Sequence, residues 1–353
     1  MTIETTLAAI QPVDEAARAA AEAHQLQLTK PAGALGALEI IGNQLAAISG
    51  TCPPPVPEPG LVCVFAGDHG VQAQGVSPWP QEVTIQMAAN IAAGGAGVNV
   101  LARAAGATVR VTDLGMLAPF PGLDDRRIAA GTADSPQGPA RTDVQARQAV
   151  ETGIAVAHQA VDEGFRVLVP GEVGIGNTTP AAALIAAFTG APAAEVTGRG
   201  AGADNAMLAH KTAGIDAALQ LHGLTGLAAV KEPLHALAAV GGFEHAAMVG
   251  LILGAAERRV PLVLDGAIAC SAALVVVSLC PAARGYLIAG HRGAEPGITV
   301  ALDALGLEPV VQLGLRLGEG TGGALALPIV ATSAKVLREM ATFASAGVTE
   351  DHA

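Results

Sequence analysis

Two glutamates and one glycine-bearing turn hold the residue types that could do chemistry in this chain. Residues Pro170–Ala183 read PGEVGIGNTTPAAA, between a short apolar run, FRVLV at 165–169, and an alanine-rich stretch with Pro180 near its start. That pattern predicts a buried strand, a turn of small residues and a helix with proline in its first turn. Such a turn points unpaired backbone N–H groups outward with the helix dipole behind them, which suits an anion, above all a phosphate. A tight turn with no ligand is the competing reading. No Lys follows the glycines, so the stretch is not a Walker A loop. Glu172 lies inside it. A carboxylate beside an anion site costs energy unless it serves something, such as a sugar hydroxyl or a developing cation. Glu319 is set between glycines in LRLGEGTGG, residues 315–323. Loss of water there raises a carboxylate's pKa toward neutrality, as a general base at cellular pH requires. An acid at a helix N-terminus is the alternative for Glu319.

The basic residues nearest the anion turn are Arg199, in GRGAGAD at 198–204, and Lys211. Either could add charge to a bound phosphate. Histidines occur in DHG at 68–70 and in GHRGAEPG at 290–297, without the spacing of a metal site, so no metal is expected.

The elements that must position these groups alternate. Residues 13–49 read as helical with an interruption at KPAGALGALE, 30–39, and CPPPVPEPG at 52–60 reads as a stiff linker. LVCVFAG (61–67) is a strand candidate, as are 108–113, 165–169, 260–264, 285–289 and 309–313. One long helix is expected over 81–105, another over 142–163, and helices over much of 180–258. The uncharged run 266–283 carries Ser271, Ser278 and Pro281 and reads as a buried helix, not a membrane span. Alternation over this length predicts an α/β fold, a parallel sheet with helices on both faces. Asp68 and His69, Glu172, Asp265, His291 and Glu319 each come shortly after a strand candidate. In open parallel sheets that edge is where ligands bind. Asp265 and Asp68 are expected to be structural turn residues.

The chain has 353 residues, 51% of them hydrophobic, very few aromatics and a formal net charge of −12. The acidic balance argues against nucleic acid, which needs a Lys/Arg footprint. Phosphate must then be held mainly by backbone donors. Cys52, Cys63, Cys270 and Cys280 show no C-x-x-C spacing and read as thiols of a reducing compartment. Glu4, Asp14 and Glu15 occupy the N-terminal region where a signal peptide would be basic, so a cytoplasmic location is expected. No internal repeat stands out.

Taken together, KPAGALGALE, FAGDHGVQAQGVSPWPQEVT (65–84), GGAGVNVLAR (94–103), GEVGIGNTTPAAAL (171–184), GGFEHAAMVG (241–250), VPLVLDGAIA (260–269), GHRGAEPG and LGLRLGEGTGGALALP (313–328) resemble the nicotinate-nucleotide:dimethylbenzimidazole phosphoribosyltransferase family of cobalamin lower-ligand assembly. The matching stretches run in the family's order over nearly the whole chain. The resemblance implies transfer of ribose 5-phosphate from nicotinate mononucleotide to a benzimidazole nitrogen, with no cofactor. It implies that Glu319 is the general base and that Glu172 assists at the ribosyl centre. It assigns the 5′-phosphate to the Gly174–Thr179 turn (Gly174, Gly176, Asn177, Thr178, Thr179) with Lys211, and Arg199 is the further basic candidate. Ser77 and Gln86 would belong to the ring pocket, with His291 beside them. It further implies a homodimer with a Rossmann-like large domain, 61–325, and a small helical domain from both chain ends, 1–52 and 326–353. Ala32, Ala34, Ala267, Gly290 and Gly293 depart from the family's usual residues, which leaves open the azole accepted. A non-catalytic nucleotide or azole binder is one alternative. Another nucleotide enzyme on a doubly wound sheet is the second, although FAGDHG does not supply a GxGxxG.

Overall fold

A computed structural model describes residues 2–349. Seven strands form one sheet in which every pairing is parallel: β1 (Gly60–Gly67), β2 (Thr108–Gly115), β3 (Asp124–Asp125), β4 (Val167–Val173), β5 (Leu262–Leu264), β6 (Leu287–His291) and β7 (Pro309–Val311). Their order is β3-β2-β1-β4-β5-β6-β7. The chain moves outward from β1 to β3, then returns to lay β4 on the other side of β1. The switch in strand order therefore falls between β1 and β4, where connections leave in opposite directions and open a crevice.

β1 is buried along its whole length, and its side chains feed two cores. Leu61, Cys63 and Phe65 join the layer made by helices Asp143–Asp162, Thr178–Thr189, Phe243–Glu257 and Ala267–Leu279. Val62, Val64 and Ala66 join the opposite layer with helices Val83–Ala92, Gly97–Ala104 and Thr321–Glu339. Alternation of period two, apolar on both sides, is what a strand covered on both faces requires.

Small residues set the layer spacing. Helices Asp143–Asp162 and Phe243–Glu257 cross with Gly153 against the Ala247 carbonyl and Gly250 against the Val150 carbonyl. A methyl group at either position would overlap the facing backbone. The alanine- and glycine-rich composition thus gives close backbone approach in place of bulky interdigitation.

Three expectations need correction. The helix expected over 81–105 is two helices, Val83–Ala92 and Gly97–Ala104. Gly94 breaks it at φ +84°, and Asn99 ties the join by accepting from Ala96 N at 3.0 Å and donating to Ile91 O at 3.0 Å. The apolar length of Val83–Ala104 would suffice for a membrane span, but this break divides it. Second, β4 runs on to Val173, so Pro170–Val173 is strand and Glu172 stands on it, not in the turn. Pro170 is tolerated there because Leu168 N–H bonds Pro261 O on the β5 side. Alternation turns the N of Pro170 to that same side, where β4 and β5 pair only at Leu168. Third, the helical part of the N-terminal region starts before residue 13, with helix Ile3–Ala9 packed on helices Asp143–Asp162 and Phe243–Glu257. The run 266–283 does hold a largely buried helix, Ala267–Leu279.

The expected domain boundary at 325 falls within helix Thr321–Glu339. That helix starts against β4, β5 and β6 and continues to pack on helix Ala37–Ser49. Thr29 N–H to Ala341 O, 3.0 Å, and the Leu28–Thr342 bridge join the two chain ends beyond it.

Gly250→Ala forces a methyl onto the Val150 carbonyl. The expected result is a loss of about 1–3 kcal/mol in unfolding free energy, read as a lower denaturant midpoint at unchanged m-value.

Candidate active site

A cleft of about 480 Å³ opens over the carboxyl ends of the strands, beside the β1–β4 switch. One end is the Gly174–Thr178 turn, and the other is formed by Leu315–Glu319. Apolar walls come from Val83, Met87, Ala182 and Ile185.

The turn is shaped for close backbone approach. Gly176 sits at φ +91°, and Ile175 N–H donates to Thr84 Oγ1 at 3.0 Å, which fixes the bend from the facing helix. Helix Thr178–Thr189 begins there with no side chain capping it, because Asn177 turns its amide onto Glu172 Oε2 instead. An uncapped helix start is an anion site. Lys211 lies behind it, almost wholly buried. Its Nζ donates to Thr178 Oγ1 at 2.6 Å and to Gly198 O at 3.2 Å. Burial pushes this ammonium down to about 8, against the opposing charge of Glu295.

At the other end the backbone is left-handed at three successive residues: Gly318 (φ +81°), Glu319 (φ +64°) and Gly320 (φ +90°). For a residue with a Cβ, that conformation costs roughly 1–2 kcal/mol. Surrounding bonds hold it. Glu319 N–H donates to Glu172 Oε1 at 3.2 Å, and Asp265 accepts from Gly320, Gly322 and Gly323 N–H at 3.1, 2.7 and 3.2 Å. Glu319 Oε2 is buried and has no partner. Burial raises the Glu319 carboxyl, a bond from Val98 N–H opposes this, and the charge of Asp265 adds to the rise. Glu172 is pushed further up, first by burial and then by Asp265, with the Glu319 N–H opposing. Asp265 is itself buried, but bonds from His291, Gly323 and Gly322 outweigh burial and hold it below the usual range. The three carboxyls thus differ in their readiness to take a proton.

Glu319, Glu172, Gly174, Gly176, Asn177, Thr178, Arg199, Ser77 and His291 all line this one cleft. Lys211 reaches it through Thr178. Thr179 does not line it; its side chain is buried under the helix start with Oγ1 unpaired. Gln86 is exposed and also outside the cleft, since Val83 and Met87, four residues apart, are the face that helix presents. Arg199 commits its guanidinium to Ala203 O at 2.9 Å and Asn205 Oδ1 at 2.5 Å, bracing its own loop. Asp68 and His69 follow a strand but stay out of the cleft. Asp68 accepts from Leu117 N–H at 2.8 Å, and His69 Nε2 lies 2.9 Å from the buried Glu244.

Sequence reasoning passed over Thr84, Glu295, Arg316 and the part Trp79 plays in tying two loops. Glu295 Oε1 accepts from Gly200 N–H at 3.1 Å, while the only tryptophan, Trp79, donates from Nε1 to Ala201 O at 2.9 Å. The loops at 75–80 and 198–202 are thereby tied together at the Gly174–Thr178 end of the cleft. No local motif signals these partners, which lie some hundred residues apart.

A family profile described as Phosphoribosyltransferase matches residues 10–348. The chain belongs to this family. A nicotinate-nucleotide–dimethylbenzimidazole phosphoribosyltransferase of Salinispora tropica is 54% identical over 99% of this chain and 100% of its own length. One of that name from Geobacter sulfurreducens is 48% identical over 99% of both. A crystal structure of the Thermus thermophilus enzyme of that name, 43% identical, covers 96% of this chain and all of its own, with a TM-score of 0.89.

Gly318→Ala places a Cβ 2.5 Å from Glu172 Oε1 at a left-handed residue. Stability is expected to fall by about 1–2 kcal/mol, and turnover by more than the loss of folded protein accounts for. Paired unfolding and rate measurements check this.

Proposed function

We propose that the cleft transfers the 5-phosphoribosyl group of nicotinate mononucleotide to a ring nitrogen of 5,6-dimethylbenzimidazole or a related azole, releasing nicotinate, with Glu319 as general base. The observation that carries this reading is the buried, unpartnered Oε2 of Glu319 in the same cleft as the Gly174–Thr178 anion turn.

The phosphate docks at the start of helix Thr178–Thr189. Lys211 then exchanges Thr178 Oγ1 and Gly198 O for phosphate oxygens, and the ribose is fixed in place. One ring nitrogen of the azole gives its proton to Glu319 while the other, whose lone pair lies in the ring plane, attacks the anomeric carbon from the face opposite nicotinate, inverting that centre. Departure of nicotinate leaves positive charge on the ribose. Glu172, held by Asn177 and the Glu319 N–H, supplies the facing carboxyl, and a cation beside it favours its ionised form. Ala267 is a small residue in the cleft wall and leaves room for substituents on the azole. Gly290 has no such role: a Cβ there would meet Leu264 O at 2.5 Å and Gly323 Cα at 2.9 Å. The homodimer implied by the resemblance and the cytoplasmic location suggested by four free cysteines belong to the same proposal.

Glu319→Gln is expected to lower kcat by about 10²–10⁴-fold while nicotinate mononucleotide still binds. An undiminished rate would sink the assignment, and a wild-type protein releasing no nicotinate with any azole would favour the non-catalytic binder. The pH profile of kcat/KM follows from the two shifted groups. The base must be unprotonated, so the rate rises with pH through a limb displaced above the ordinary glutamate value. The phosphate anchor must be charged, so the rate declines above about 8 as Lys211 loses its proton. Lys211→Met should remove that alkaline limb and raise KM for nicotinate mononucleotide roughly 10–100-fold, the loss of one charged hydrogen-bonding anchor.

A further inference from the structure

Asp265 does more than end a strand. It follows β5 directly and is buried, and its two oxygens take three backbone N–H groups from the opposite side of the cleft floor. The first of those belongs to Gly320, so the peptide joining Glu319 to Gly320 is held by Asp265. The other two, Gly322 and Gly323, open helix Thr321–Glu339. Both must be glycine to sit so close: a Cβ on Gly322 would fall on the His291 ring, and one on Gly323 would meet Val169 Cγ1 at 2.5 Å. His291 Nε2 lies 3.3 Å from Asp265 Oδ1 and steadies the carboxylate from β6. The other ties on the turn are Thr321 N–H and Oγ1 to Gly318 O, at 3.0 and 2.7 Å, Ala324 N–H to Gly320 O at 2.9 Å, and Glu319 N–H to Glu172. None of those bonds the peptide that joins Glu319 to Gly320.

We propose that Asp265 is the positioning residue for Glu319, clamping the left-handed backbone on which that carboxylate faces the cleft and facing it with a fixed negative charge. The inference rests on Glu319 being the general base. The groups that face Glu319 are Glu172 from β4, Asp265 after β5, His291 at the end of β6 and the Val98 N–H, with Arg316 three residues before it. Among them Asp265 acts on Glu319 in two ways, through the peptide and through its charge, which raises the Glu319 carboxyl.

Asp265→Asn keeps the shape, removes the charge and puts an amide donor where one oxygen accepted N–H. With nicotinate mononucleotide and dimethylbenzimidazole as substrates, kcat is expected to fall about a hundredfold, as for a reacting group displaced by an ångström. KM for the nucleotide should stay within about threefold, since the phosphate anchor is untouched. The acid limb of the pH–rate profile should move to lower pH, because a charge that raised the base is gone. A purely structural Asp265 would lower the amount of folded enzyme and leave that limb in place, and that result overturns the proposal. Asp265→Glu is the companion variant if Asp265→Asn does not fold. It restores the charge on a longer stem, so its acid limb should match wild type while kcat remains low; a displaced limb or an intact kcat counts against the proposal. Glu319→Gln separates the two readings. If that variant is active, the base assignment fails. If it is inactive while Asp265→Asn turns over and titrates like wild type, only the positioning role fails.

Discussion

Three carboxyl groups, Glu172, Asp265 and Glu319, are buried at one end of one parallel sheet, and among the described residues no Lys, Arg or His side chain is paired with any of them except His291 beside Asp265. Placing like charges in so dry a place is unfavourable. The fold offsets this with backbone. Gly320, Gly322 and Gly323 N–H bond Asp265, Glu319 N–H bonds Glu172, and the side-chain amide of Asn177 takes the second oxygen of Glu172. Only Glu319 keeps an oxygen without a partner. Asp265 receives the most donors and is held below the usual range, whereas burial and the charge of Asp265 raise both Glu172 and Glu319, and of these two Glu319 is the one with a free oxygen facing the cleft.

That arrangement depends on thin packing. Helix Thr321–Glu339 can present its first N–H groups to Asp265 only because Gly322 and Gly323 lie flat on His291, Val263 and Val169. Gly171 leaves the same kind of space on β4, where a Cβ would meet the Glu319 carbonyl at 2.6 Å. On the far face, Gly153 and Gly250 let two long helices approach to backbone contact. A core of large side chains would hold the layers further apart.

Positive charge is scarce in the chain, and the cleft uses it sparingly. Lys211 is buried at the Gly174–Thr178 end of the cleft, with Glu295 as its counter-charge. Arg199 braces a loop instead of reaching outward. In the proposed reaction, recognition of a phosphorylated sugar falls to the helix start and one ammonium, an arrangement consistent with a net charge of −12.

The order of strands and helices, the glycine turn at 174–179 and the isolated Glu319 were legible from residue types and spacing, because a buried strand, a turn and a helix start each impose local demands on side-chain size and polarity. The grouping of Glu172, Asp265, His291 and Glu319 in one cleft was legible in part, since parallel strands put their carboxyl ends on one edge, whereas Ser77 came only with the family resemblance. The register of β4 was not, so Glu172 reads from the sequence as a turn residue although it stands on the strand; the ladder to β1 decides where a strand stops. Nor could Gln86 be told from Met87, because which face of a helix meets a cleft is set by its docking, not by its composition. Asp265 shows the limit most clearly. Its sequence neighbourhood reads as a turn after a strand, and only tertiary contact, across some fifty-five residues to Gly320, turns it into the clamp on the acid opposite. Local chemistry is written along the chain, whereas partnership between buried groups depends on which segments the sheet order brings side by side.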